Sequence, residues 1–245
     1  MSMRRDEIAE RLLRAARRTH ARGRSPLVVL DLDGTLYDSS VRTWRILQEF
    51  AHRFASDHPD FVRAVAGLGV GDVTYLVADT LARVGIRDES LLGQVLEFWR
   101  QRFFTDEYVL HDLPTPGAVA FVTELHEGGI VPLYLTGRPA PTMLVGTVRV
   151  LQRDGFPIGT ADTRLVLKED FATPDDAYKH RVVEQFRESG EVIGAFDNEP
   201  GLCNLFRAAF PDALIVHLNT THSPDAPELD AGIEQIPDFL TPRGE

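Results

Sequence analysis

Five short apolar runs punctuate the chain: Leu27–Leu32, Ile130–Leu135, Arg164–Leu167, Val192–Phe196 and Ala213–Leu218. Each is rich in Val, Ile and Leu and too short for a buried helix, so each reads as a strand covered on both faces. Stretches of helical character lie around them, at about 116–127, 140–154, 175–189 and 200–209. Strands alternating with helices predict an α/β chain, a parallel sheet with helices on both sides. In such sheets ligands collect at the carboxyl ends of the strands.

Two segments depart from that rhythm. Residues 37–112 lack strand-like runs and carry helical patterns at 41–56, 73–84 and 90–104, before Pro114-Thr115-Pro116-Gly117 marks the return to the alternating pattern. Residues 1–24 hold eight arginines, and Ile8, Leu12, Ala15 and Ala16 recur at helical spacing, which predicts an amphipathic helix packed on the surface of the domain. This helix has no apolar core of the kind a secretory signal needs, and no apolar run in the chain approaches the ~18–20 residues of a membrane helix. Gly67-x-Gly69-x-Gly71 has the look of a dinucleotide loop but follows no strand, so it reads as a turn or hinge. The proline-rich tail from Asn219 reads as irregular.

Composition narrows the function. A hydrophobic share of 43% and a charged share of 26% are those of an ordinary globular protein, and a net charge of −11 argues against general nucleic-acid binding. The lone cysteine, Cys203, falls in a predicted helix and reads as core filler, in keeping with a reducing cytoplasm. The eight histidines show no zinc-site spacing. Only two lysines, Lys168 and Lys179, stand against 24 arginines. A chain that uses arginine almost everywhere keeps a lysine where a compact ammonium is needed. No feature of the sequence fixes an oligomeric state.

The chemistry concentrates where strands end. Leu30-Asp31-Leu32-Asp33-Gly34-Thr35-Leu36 closes the first strand with two carboxylates two residues apart, which start out on the same side. Their repulsion persists mainly where a cation or a catalytic task offsets it. Thr136-Gly137-Arg138 closes the second strand and Phe196-Asp197-Asn198-Glu199 the fourth. Arg138 is open to two readings, a bidentate phosphate contact or a pair with a core acid.

In that order, these segments resemble the motifs of the haloacid dehalogenase-like hydrolase superfamily, with Lys179 as its lysine and Lys168 as the less favoured alternative. The resemblance implies a Rossmann-like core over residues 25–38 and 113–245, a helical cap of the C1 type over 39–112, and the N-terminal helix, residues 1–24, outside both. It further implies a Mg²⁺-dependent phosphatase of a small phosphorylated metabolite. Asp31 would be the nucleophile, forming an aspartyl phosphate, and Asp33 the acid and base. That role requires a pKa for Asp33 above that of the metal-bound Asp31. Thr136, Gly137, Arg138 and Lys179 would hold phosphate; Asp31, Asp197 and the main-chain carbonyl of Asp33 would bind the metal. The fourth motif departs from the family's usual pattern, with Asn198 and Gly201 where a second aspartate is expected, so Asn198 and Glu199 stand as direct or indirect metal contacts. The presence of Asp33 favours phosphoryl transfer over carbon–halogen cleavage, since a halide leaves without a proton. Alternatives are a phosphomutase, a phosphatase of nucleotide or nucleic-acid ends, and a silent binding protein.

Overall fold

The computed structural model describes residues 3–240. The first two residues of the predicted N-terminal helix and the last five of the tail lie outside them. In chain order the elements are α1 (Arg5–Ala21), β1 (Pro26–Leu30), β2 (Tyr37–Asp38), α2 (Ser40–Arg53), α3 (Pro59–Val65), α4 (Val77–Arg83), α5 (Glu89–Phe103), α6 (Asp106–Val109), β3 (Leu113–Pro114), α7 (Ala118–Glu127), β4 (Val131–Pro139), α8 (Ala140–Asp154), β5 (Arg164–Lys168), α9 (Asp175–Ser189), β6 (Glu191–Asp197), α10 (Pro200–Ala209), β7 (Leu214–Leu218) and β8 (Glu234–Ile236).

Six strands form one sheet in the order β5-β4-β1-β6-β7-β8, every adjacent pair parallel. Strand β1 is central, and the connections turn from one side of it to the other between β5 and β6. That reversal opens the crevice beyond the carboxyl ends of β1, β4 and β6 where α/β sheets bind ligands. Along β1 the side chains alternate between two apolar layers. Val28 and Leu30 join the layer of α1, α7 and α8, and Leu27 and Val29 that of α9 and α10. Asp31 extends the odd-numbered series, toward α9.

The Arg-rich helix α1 packs Ile8, Ala9, Leu12 and Ala16 into the first layer, as its periodicity predicts. Helices α2 to α6 lie between β2 and β3, which pair as a short antiparallel ribbon. These helices carry a cluster of their own, with Ile46, Phe50, Phe61, Leu81, Val95 and Phe98 at its centre. The predicted helix 41–56 stops at Arg53, and a separate helix α3 starts on Pro59. The glycine run near Gly69 forms a short 3-10 turn at Val70–Asp72.

The tail corrects one expectation. Residues 234–236 form β8 on the sheet edge, and Phe239 packs against Phe121 and Phe196. A strand of three residues with one buried apolar side chain, Ile236, leaves no period to read.

Candidate active site

Strand β1 gives way to a tight loop whose first residue stays in the sheet, because the Asp31 amide donates to the Phe196 carbonyl at 3.0 Å. The loop closes on itself through Gly34 N to Tyr37 O at 2.8 Å and Tyr37 N to Leu32 O at 2.8 Å. Gly34 has φ +81°, and a Cβ there would stand 2.3 Å from Asn198 Nδ2, so both the turn and the close approach require glycine.

Asp31 and Asp197 therefore meet from the ends of adjacent strands. Between them lies the Lys179 ammonium, delivered by α9, with Nζ donating to Asp31 Oδ1 at 2.6 Å and to Asp197 Oδ2 at 3.0 Å. All three side chains are buried. Burial and the charge of Asp197 push the Asp31 carboxyl up to about 8, against the pull of Lys179. Burial alone would depress Lys179, but Asp197 and Asp31 more than offset it and hold the ammonium charged. Of the two lysines, Lys179 is the one that reaches the aspartates; Lys168 ends β5, its Nζ 5.9 Å from the Phe171 ring.

A second constellation adjoins the first. Asp33 accepts from Arg138 Nε at 2.6 Å and Nη2 at 3.0 Å, and from Arg42 Nη2 at 2.9 Å. Both guanidinium groups also bind Asp112, Arg42 Nε to Oδ1 at 2.8 Å and Arg138 Nη2 to Oδ2 at 2.8 Å. Arg42 further donates to the Phe103 carbonyl at 3.1 Å and Arg138 to Thr147 Oγ1 at 3.2 Å. Burial would raise Asp33, yet Arg138 and Arg42 outweigh it and hold the carboxyl far below its ordinary range. Burial lifts Asp112 above its ordinary value despite the same arginines, and its contacts to both are those of a carboxylate.

One open reading closes here. Of the readings open for Arg138, the structure carries the pair with core acids: the guanidinium is buried and spent on Asp33 and Asp112. Two arginines hold the Asp33 carboxyl below its ordinary range, while burial and Asp197 hold that of Asp31 above it.

Strand β4 slips register between Thr136 and Pro139, so Gly137 and Arg138 bulge out of the ladder toward the same cavity. Thr136 Oγ1 accepts from the Arg138 amide at 3.2 Å. Asn198 and Glu199 brace the segment at 220–223. Asn198 donates to the Thr221 carbonyl at 2.6 Å, and both Glu199 carboxylate oxygens accept from Ser223, at 3.0 and 2.7 Å. The Glu199 amide in turn holds Asp197 Oδ1 at 2.9 Å. Cys203 is fully buried, its thiol pushed up by burial, as core filler should be.

Asp31, Asp33, Thr136, Arg138, Lys179 and Asn198 line a cavity of about 480 Å³ that also takes in Ser40, Thr43, Trp99 and Phe103 from α2 and α5. The oxygen donors at Asp31 and Asp197 suit a small hard cation, and two carboxylates sharing one ammonium leave a negative charge for it to offset. No group of three or more His, Cys, Asp or Glu side chains that could hold a metal occurs among the described residues. Two carboxylates suit a cation that keeps several waters and takes substrate oxygen. No helix among the described residues is long and apolar enough to cross a membrane.

Sequence reasoning missed Arg42 and Asp112. Arg42 was visible in principle, since it occupies the buried stripe of α2 with Ile46 and Phe50, four and eight residues on.

Comparison with curated proteins gives no match. Among solved structures, the chain is similar to a haloacid dehalogenase-like hydrolase of Burkholderia xenovorans LB400, provisionally so assigned, at 14% identity and TM-score 0.54, over 88% of this chain and 95% of that one. It is similar also to a provisionally assigned phosphatase of Clostridium difficile, at 15% identity and TM-score 0.52, over 82% and 89%. At such identities the likeness is one of fold. The family model for haloacid dehalogenase-like hydrolases matches residues 26–199, a span that runs from β1 through the Asp31, Lys179 and Asp197 cluster, and on that match the chain belongs to this hydrolase family and is an enzyme.

Proposed function

We propose that the chain is a Mg²⁺-dependent phosphatase of a small phosphomonoester in the cytoplasm, acting through an aspartyl phosphate on Asp31. The observation that carries this reading is the buried Asp31–Lys179–Asp197 cluster at the strand ends, in which Asp31 and Lys179 line the cavity. Asp31, Asp197 and the main-chain carbonyl of Asp33 would hold the metal, which when bound screens the charge between a phosphate dianion and an attacking carboxylate. Helices between residues 39 and 112 act as the cap over the core at 25–38 and 113–245.

The chain's own groups divide the work. The free oxygen of Asp31 attacks phosphorus in line, and the bond to the departing alcohol oxygen breaks with its electron pair. Lys179 binds Asp31 and Asp197 through two of its three N–H groups, and the third is available to a phosphoryl oxygen. The Thr136 hydroxyl and the Gly137 amide serve the remaining phosphoryl oxygens. Water then hydrolyses the acyl phosphate, so that ester and water give alcohol and inorganic phosphate. Asp33 would give the leaving oxygen a proton and take one from that water. Arg42 and Arg138 hold it ionised and a weak base, so both steps need that grip loosened when substrate binds. Asn198 and Glu199 act indirectly, by fixing the loop that carries Asp197.

Hydrolysis of p-nitrophenyl phosphate tests the reading. Turnover with Mg²⁺, lost on chelation and in Asp31→Asn, is expected; full activity in Asp31→Asn overturns the nucleophile.

A further inference from the structure

The cavity has an electrostatic asymmetry that bears on its substrate. Among the described residues lining it, the cations are Arg42, Arg138 and Lys179, and each is already bound to carboxylates. Both arginines are spent, and the one ammonium hydrogen left on Lys179 is taken up, on the phosphatase reading, by the phosphoryl group. The opposite wall, from α2, the segment before α4, and α5, presents Thr43, Thr74, Tyr75, Leu76, Trp99 and Phe103 and no charged side chain but Arg42.

That wall is aromatic and fixed. Trp99 stacks on Phe103 with centroids 4.4 Å apart and meets Phe104 edge-on at 5.7 Å, and Phe104 meets Phe171 edge-on at 4.8 Å. The Trp99 indole N–H is committed to Thr43 Oγ1 at 3.1 Å, so the ring offers its face and no donor. The Arg42 guanidinium lies 4.2 Å from the Phe103 ring centroid. Tyr75 and Leu76, also lining the cavity, are 51% and 42% exposed. A cavity of about 480 Å³ lies within the usual range for small organic ligands, where polar groups orient and apolar walls bind.

We propose, resting on the phosphatase reading, that the alcohol released is uncharged and presents an aromatic or similarly flat apolar face to Trp99, Phe103 and Phe104. Esters carrying a second phosphate or a carboxylate are rejected, because the second anion would be desolvated with no cation to receive it. Discrimination of this kind comes from leaving a charge unpaired and exceeds what apolar fit alone achieves.

The test compares kcat/KM with Mg²⁺ for phenyl and naphthyl phosphate against a hexose bisphosphate and phosphoglycolate. The aryl esters are expected to lead by at least about a hundredfold. Phe104→Ala is expected to raise KM for naphthyl phosphate by about tenfold with a smaller change in kcat, since it removes binding surface remote from phosphorus. Tyr75→Arg, at an exposed position and checked for native circular dichroism, is expected to raise kcat/KM for phosphoglycolate about tenfold by supplying the missing cation. Equal or better turnover of the bisphosphate overturns the substrate class and leaves the phosphatase standing. Failure on every ester, p-nitrophenyl phosphate included, overturns both.

Discussion

Asp112→Asn isolates the buried charge network from the chemistry. The four side chains Arg42, Arg138, Asp33 and Asp112 balance two cations with two anions, and Arg42, Arg138 and Asp112 are 0%, 2% and 0% exposed. Asparagine keeps the shape but removes one charge, and turns one acceptor that faces guanidinium N–H groups into a donor. One buried positive charge is then uncompensated. Breaking a buried pair in this way costs about 3–5 kcal/mol. For a chain of this size that is a fall in Tm of roughly 6–20 °C, at about 2–4 °C per kcal/mol. Calorimetry or thermal circular dichroism reads it directly. Removing the opposing charge as well, in Arg42→Met with Asp112→Leu, restores neutrality and is expected to cost less than Asp112→Asn alone. The exposed pair Asp60–Arg63, 84% and 74% exposed, is the control, and Asp60→Asn should leave Tm where it is. A fall of less than about 1 kcal/mol for Asp112→Asn, or a double variant worse than the sum of its parts, would refute the argument that charge balance holds this network together.

Three further outcomes follow from the geometry. Lys179→Met should lower kcat on p-nitrophenyl phosphate by about a hundredfold to a thousandfold, since it withdraws the ammonium aimed at the developing charge; steady-state kinetics on a variant of native circular dichroism reads this, and wild-type turnover would remove Lys179 from the chemistry. Gly34→Ala should destabilise by about 1–2 kcal/mol from the positive φ alone, with more from the collision with Asn198, measured by urea denaturation; a wild-type midpoint would mean the loop tolerates another shape. Cys203, buried and with its thiol pushed up, should resist a thiol-reactive dye at pH 8 in the native protein and take up one equivalent on denaturation, whereas rapid native labelling would place the thiol at a surface.

Much of the architecture was legible because its signals are local. Each of the five apolar runs became a sheet strand, since a strand covered on both faces leaves no polar side to disguise it. The strand-end positions of Asp31, Thr136 and Asp197 followed from the same runs. The 234–236 strand escaped because it is paired by backbone bonds to β7 and little else. The arginine network escaped for a different reason. Asp33 and Asp112 lie 79 positions apart, and only the fold brings Arg42 and Arg138 between them, so no spacing in the sequence announces that Asp33 is gripped. Acidity is likewise a property of surroundings. Two aspartates two residues apart look alike in sequence, and partners from α2, β4, β6 and α9 make them opposites.

The central claim is that Asp31 itself carries the phosphoryl group during turnover. Rapid acid quench of the enzyme with Mg²⁺ and an aryl phosphate, followed by borohydride reduction of any acyl phosphate and peptide mass spectrometry, tests it most directly. The account predicts a reduced side chain in the peptide containing Asp31, present during turnover and absent without substrate. Turnover at full rate with Asp31 unmodified, or with the modification on another residue, would contradict it.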